Sequence, residues 1–133
     1  MPKIIVDYKK CTGCRLCEVS CSFRDHIDFN PRKANIHIKK NEETGLDKPL
    51  VCRQCKNAKC AEACPEKAIR RMPDMGVWQI ESSLCTGCYL CIEACPFNGI
   101  YAGINNIAHK CDLCLDQYPA CVDICPSNAL RFD

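Results

Sequence analysis

Sixteen cysteines fall into four groups of four with none left over: Cys11, Cys14, Cys17 and Cys21; Cys52, Cys55, Cys60 and Cys64; Cys85, Cys88, Cys91 and Cys95; Cys111, Cys114, Cys121 and Cys125. Groups one and three carry the spacing C-x2-C-x2-C-x3-C. Groups two and four keep the final three-residue gap and widen the second, to four residues between Cys55 and Cys60 and six between Cys114 and Cys121. Three sulfurs at i, i+3 and i+6 on a looped backbone can converge on the corners of one cube, and a [4Fe-4S] cubane takes four thiolates. Sixteen ligands predict four [4Fe-4S] clusters.

Other uses of so much sulfur fit the spacing less well. Zinc binds four cysteines through C-x2-C knuckles, but it has no use for a third cysteine two residues on and a fourth three residues after that. A zinc-binding interaction module is the distant alternative. Eight disulfides would each need their own distance constraints, which sulfurs at every third residue do not suit. A catalytic cluster with an open iron needs a three-cysteine run such as C-x3-C-x2-C, and the chain contains none. Neither a phosphate-binding glycine loop nor a nucleophile triad appears. The expectation is a chain that passes electrons and makes or breaks no substrate bond.

One Trp, four Tyr and four Phe make a thin conventional core. Metal binding then contributes directly to folding, and the apo chain is expected to be largely unfolded. The formal charge of +2 describes the chain without metal. Each oxidised cluster with its four thiolates carries about −2, which brings the loaded protein to roughly −6. Residues 1 to 71 hold 16 Lys/Arg against 9 Asp/Glu, and residues 72 to 133 hold 2 against 7. The basic half either compensates cluster charge locally or docks an acidic partner. It offers no aromatic base-stacking platform, so nucleic-acid binding is not expected. The apolar run Ile4-Ile5-Val6 is too short for a signal peptide or a membrane span, and no twin-arginine motif is present. This predicts a cytoplasmic chain with no direct membrane insertion.

The chain is an internal repeat. Cys60-Ala-Glu-Ala-Cys64-Pro, Cys91-Ile-Glu-Ala-Cys95-Pro and Cys121-Val-Asp-Ile-Cys125-Pro are copies, with Cys17-Glu-Val-Ser-Cys21-Ser a weaker one. Each reads as a ligand loop plus one short helix, turned away by the proline. Ile69 to Leu84 reads as a hairpin with its turn at Pro73-Asp74-Met75-Gly76 and a strand at Val77-Trp78-Gln79-Ile80. Two such units joined by a hairpin resemble a bacterial two-cluster ferredoxin, in which the fourth cysteine of each run crosses to the other cluster. That arrangement implies one cluster on Cys52, Cys55, Cys60 and Cys95 and another on Cys85, Cys88, Cys91 and Cys64. Groups one and four are left for a second module, with Cys11, Cys14, Cys17 and Cys125 on one cluster and Cys111, Cys114, Cys121 and Cys21 on the other. Lys3 to Asp7 and Ala129 to Asp133 are expected to pair as a ribbon that closes it. The fold class is then α+β: two ferredoxin-like modules, one inserted into the other, with short helices and β-hairpins around four clusters. Residues 1–50 plus 105–133 form the outer module and 51–104 the inserted one. Residues 22–51 contain Phe29-Asn30-Pro31, a strand at Asn35 to Lys39 and a turn at Glu43-Thr44-Gly45. They are expected to cover the outer module and supply a sheet edge, or to contact a partner.

Through Cys11-Thr-Gly-Cys14-Arg-Leu-Cys17, Cys52-Arg-Gln-Cys55, Cys85-Thr-Gly-Cys88-Tyr-Leu-Cys91 and His109-Lys-Cys111-Asp-Leu-Cys114, nearly the whole chain resembles the four-cluster iron-sulfur subunit of molybdenum and tungsten pterin oxidoreductases. Cys21-Ser22-Phe23-Arg24 and Ile36-His37-Ile38 look most like the small subunits of tungsten aldehyde oxidoreductase-type enzymes, including tungsten benzoyl-coenzyme A reductase, and of carbon monoxide dehydrogenases. The resemblance implies a large catalytic pterin-containing partner, with a further redox protein or flavin subunit beyond it. A free-standing polyferredoxin, or a carrier for carbon monoxide dehydrogenase or hydrogenase, is the alternative. The six-residue gap before Cys121 and the short C-terminus differ from dimethyl sulfoxide reductase-type relatives and argue against a membrane-anchor partner. Gly13 and Gly87 are read as turn positions that let backbone N–H groups approach sulfur. Tyr89, Phe97 and Tyr101 are read as packing over clusters, and His26, His37 and His109 as surface or turn residues outside the ligand set.

Overall fold

The computed structural model describes residues 2–25, 30–103, 105–115 and 117–133; Phe29 and His26 lie outside them. The chain runs β1 (Ile4–Val6), α1 (Leu16–Asp25), a 3₁₀ turn (Pro31–Lys33), β2 (Ile36–Asn41), β3 (Leu46–Val51), α2 (Lys59–Ala63), β4 (Ile69–Arg71), β5 (Trp78–Ile80), α3 (Leu90–Ala94), β6 (Ile100–Ala102), β7 (Ala108–Lys110), α4 (Ala120–Ile124) and β8 (Leu130–Phe132).

The strands form antiparallel pairs: β1 with β8, β2 with β3, β4 with β5, and β6 with β7. The terminal ribbon sets Ile4 opposite Phe132 and Val6 opposite Leu130. The β4–β5 hairpin sets Ile69 opposite Ile80, and its turn closes where the Gly76 N–H donates to the Met72 carbonyl at 2.8 Å. The strand expected at Asn35 begins one residue later and continues to Asn41. It does not add an edge to another sheet; β2 and β3 make their own two-stranded ribbon, turning through Gly45 at φ +72°. The β6–β7 pair, with Ile100 opposite Lys110, was not legible in advance because each strand is three residues long and shows no alternation.

Proline decides the helix lengths. α2, α3 and α4 are five residues each and end at Ala63, Ala94 and Ile124, with Cys64, Cys95 and Cys125 already in extended conformation before their prolines. A residue before proline is pushed out of the helical region. Ser22 follows Cys21 instead, and α1 continues through it for ten residues. The Ser22 hydroxyl donates to the Val19 carbonyl at 2.8 Å inside that helix.

α1 packs on α4, where the Ser20 hydroxyl donates to the Ala120 carbonyl at 3.4 Å, and α2 packs on α3. Apolar burial divides differently, with Val51, Cys52 and Val77 joining the residues around α1 and α4. One cluster joins Ile4, Ile36, Ile38, Val51, Val77, Leu113 and Leu130 to Cys17, Cys52, Cys111 and Cys121. The other joins Ile69, Ile100 and Ala108 to Cys91, with Trp78, Ile80 and Tyr89 packed against it. The buried Ile36, Ile38 and Val51 put the β2–β3 ribbon over the region of groups one and four.

Candidate metal centres

Each group opens on the same backbone turn. The residue two after the first cysteine has positive φ in all four: Gly13 at +71°, Gln54 at +50°, Gly87 at +80° and Leu113 at +57°. This aims its N–H back at the first sulfur, at 3.4 Å from Gln54 to Cys52 and 3.3 Å from Leu113 to Cys111, and Gly13 makes the same bond to Cys11. Gln54 and Leu113 show that the turn itself does not require glycine. What requires it at Gly87 is a neighbour: a Cβ there would collide with the Asn106 backbone carbonyl, whereas one on Gly13 would meet only the movable end of the Asp47 side chain.

The last cysteines share a second device. Three residues on, Lys67, Asn98 and Asn128 are left-handed, at φ +51°, +54° and +55°. The next N–H then reaches sulfur, at 3.3 Å from Ala68 to Cys64 and 3.4 Å from Gly99 to Cys95, with Ala129 bonding Cys125 likewise. Cys21 lies inside α1, and its sulfur takes the N–H of Asn35, fourteen residues away, at 3.2 Å. Asn35 is held in turn by the His109 Nδ1 at 2.5 Å from its Oδ1.

Cavities gather sulfurs from more than one group. Cys52, Cys55, Cys60 and Cys95 line one of about 190 Å³, together with Trp78, Phe97 and Lys110. Cys64, Cys85, Cys88 and Cys91 line a narrower one under Tyr89. Cys21, Cys111, Cys114 and Cys121 line a third, between Asn35, Ile36 and Pro119. Cys11 lies within electrostatic reach of Cys14 and Cys125, and Cys17 within reach of Cys11 and Cys14.

Burial pushes the Cys17 and Cys111 thiols up to about 12 and Cys60 to about 11, and drives Cys121 up further, with neighbouring cysteines adding to the rise. Cys125 goes the other way: burial raises it, but the Ser127 hydroxyl and the N–H groups of Ala129, Ser127 and Leu130 outweigh that and leave it low. Thiols so crowded and dry form thiolates together only around a strongly positive centre, which an iron-sulfur core supplies. A single zinc ion needs sulfurs about 3.8 Å apart, from a 2.3 Å Zn–S bond in a tetrahedron. Among the described residues no three His, Cys, Asp or Glu side chains close around one ion. The donor set fits a [4Fe-4S] centre.

Between the two apolar clusters runs a polar latch that sequence reasoning missed. Gln54, 3% exposed, donates from Nε2 to the Cys111 carbonyl at 2.8 Å and accepts at Oε1 from the Trp78 N–H at 2.7 Å. Lys110, 4% exposed, donates from Nζ to the Cys111 carbonyl at 3.0 Å and to the Trp78 carbonyl. The Trp78 indole N–H donates to the Cys55 carbonyl at 2.8 Å. The one available signal was charge: Lys110 is one of two cations in residues 72 to 133.

Tyr101 donates its hydroxyl to the Leu50 carbonyl at 2.5 Å, and burial together with the nearby Cys111, Cys95, Cys52 and Cys21 pushes its ionisation up. His37 and His109 are half-buried strand residues against its ring, at 4.2 and 5.7 Å between centroids. This corrects their reading as surface or turn residues: the ring of Tyr101 gives both imidazoles an apolar face to pack on. His37 also meets the buried Glu18 at 3.2 Å. Outside, Lys3, Lys48 and Arg53 line an open groove of about 320 Å³ beside Tyr8 and Phe97. No helix among the described residues is long and apolar enough to cross a membrane.

Comparison with known proteins agrees with this chemistry. The chain is 37% identical to the electron transport protein HydN of Escherichia coli, over 96% of its own length and 85% of the relative's. It is 33% identical to the thiosulfate reductase electron transfer subunit PhsB of Salmonella typhi, over 95% and 72%. It also matches the putative oxidoreductase UacF of Escherichia coli at 35% identity, but spans only 20% of that protein. The BamBC active-site complex of benzoyl-coenzyme A reductase shares the fold, with a TM-score of 0.61 at 24% identity over 100% of this chain and 76% of that one. A 4Fe-4S binding domain model matches residues 8–24. With residues 43–133 matching the 4Fe-4S dicluster domain, the chain belongs to that family of iron-sulfur proteins.

Proposed function

We propose that this protein is a non-catalytic electron-transfer subunit holding four [4Fe-4S] clusters in two ferredoxin-like modules, residues 51–104 being inserted between 1–50 and 105–133. It relays electrons to or from a large pterin-containing oxidoreductase subunit of the tungsten or molybdenum type. The ligand sets are Cys11, Cys14, Cys17 and Cys125; Cys52, Cys55, Cys60 and Cys95; Cys85, Cys88, Cys91 and Cys64; Cys111, Cys114, Cys121 and Cys21. The observation that carries this reading is the sharing of cavities: Cys95 lines one with group two, Cys64 one with group three and Cys21 one with group four. The role as a subunit is supported by relatives named as electron transfer or complex subunits, among them formate hydrogenlyase subunit 2 of Escherichia coli.

Bound clusters supply reversible one-electron chemistry. The chain does the rest. Backbone N–H groups donate to the sulfurs and favour added negative charge, Phe97, Trp78 and Tyr89 exclude water, and the crossed cysteines hold each pair of groups at fixed separation.

Anaerobic iron analysis tests the ligand count, with about sixteen irons per chain expected for four cubanes. Cys125→Ser tests the crossing: the cluster bound by Cys11, Cys14 and Cys17 should change, and a change confined to that of Cys111, Cys114 and Cys121 overturns the scheme. Purification of the native complex, followed by metal and pterin analysis, tests the partner. The name of HydN, an electron transport protein, favours a second reading as a separate carrier, and a lone chain in that purification would support it. A colourless zinc-loaded protein would defeat both.

A further inference from the structure

Lys110 stands where lysine seldom does. Arg131, the other cation in residues 72–133, is exposed, whereas Lys110 is buried among ligand-bearing turns. Lysine is almost never fully buried unless it is paired. Its acceptors among the described residues, the carbonyls of Cys111 and Trp78, satisfy N–H groups without matching its charge. It lines the cavity of Cys52, Cys55, Cys60 and Cys95 on one side and is bonded to the first cysteine of group four on the other. Two of the four proposed sulfur sets therefore meet at this side chain.

We propose that Lys110 is a fixed cation shared by two cluster sites, and that it raises the reduction potential of the Cys52/Cys55/Cys60/Cys95 cluster and the Cys21/Cys111/Cys114/Cys121 cluster together. This rests on the ligand sets proposed above. Reduction takes each site from about −2 to about −3. A cation held nearby in a medium of low dielectric stabilises the more negative state more strongly. Lys110 is thus a positioning residue for charge: it holds an electron favourably on both sides of the junction between modules, so passage between them meets no step created by the anionic surroundings. Gln54 fixes the geometry by tying Cys111 to Trp78, the two residues that Lys110 also bridges.

The test is an anaerobic potentiometric titration followed by electron paramagnetic resonance on the iron-replete full chain, with iron measured on the same samples. In Lys110→Met, two of the four midpoints should fall by at least the equivalent of a tenfold change in the reduction equilibrium, about 59 mV for one electron, while the other two hold. Lys110→Gln keeps a donor for the carbonyls and loses the charge; it should reproduce the fall, and it serves if the Met variant binds less iron. Lys110→Arg should recover most of the wild-type values. Full iron with four unmoved midpoints, an equal fall in all four, or wild-type potentials in the Gln variant would overturn the role of Lys110. Wild-type protein well short of about sixteen irons would defeat the ligand sets instead.

Discussion

The exits of the four ligand runs fall into two kinds. At Cys64, Cys95 and Cys125 the chain stops its helix, meets proline, passes a left-handed residue and returns an N–H to the sulfur, all within five residues. At Cys21 the helix runs on, and the sulfur's donor arrives from Asn35 across a covering segment. Three exits are local devices that any context could host. The fourth takes a donor from Asn35, the residue before β2, so it couples the first ligand run to the segment that follows it.

Loss of metal should have the largest effect, because it acts on both kinds of exit. Helices of five residues and one of ten lie below the roughly 12–15 residues at which an isolated helix is even marginal in water. Anaerobic chelation of iron should therefore abolish most far-UV circular dichroism. A near-native spectrum after full iron removal would mean that the exits hold without metal.

Ser22→Pro imposes the proline exit on the continuous helix. It removes an interior N–H and places a ring at a fully buried position, and should cost about 3 kcal/mol or more in anaerobic denaturant unfolding. The reciprocal change, Pro96→Ser, alters a helix that has already ended and should cost less than about 1 kcal/mol. Equal costs would erase the distinction between the exits.

Gly99→Ala sharpens the comparison among the proline exits. Ala68 and Ala129 occupy the equivalent positions, but a Cβ on Gly99 would stand 2.7 Å from the Cys52 Cα and 2.8 Å from its nitrogen. Overpacking of that kind costs about 1–3 kcal/mol, and it should shift the cluster signal of group two along with stability. Replacing Ala68 by glycine should cost only about 0.5–1 kcal/mol, through chain entropy.

Lys67→Gly should have the smallest effect and the opposite sign. Lys67 is exposed and left-handed, a conformation that costs a side-chain-bearing residue about 1 kcal/mol. Glycine there should stabilise by up to that amount, less the entropy it adds to the unfolded chain. Asn98→Gly should be close to neutral, since asparagine tolerates the region. Thermal unfolding of the loaded protein reads both, and equal gains would show that asparagine does not relieve the strain.

Much of this was legible in the chain. Sixteen grouped cysteines announced the cofactor, three prolines ended three helices where they stood, and the apolar ends at Ile4–Val6 and Leu130–Phe132 paired as expected. The β6–β7 ribbon, the Gln54 and Lys110 latch and the histidine packing were not. Gln54 and Lys110 look like ordinary surface residues in sequence, and only the approach of Trp78 and Cys111 turns them inward.

Sequence alone determined the kind of metal the chain can hold and the local shape of each ligand turn, because thiolate count, spacing and proline act within a few bonds. Tertiary structure decided which sulfurs share a cavity, why Gly87 and Gly99 admit no side chain, and where a buried cation sits. Those are contacts between residues about twenty or more positions apart, and their energies depend on burial and dielectric, which exist only once the chain has closed on itself.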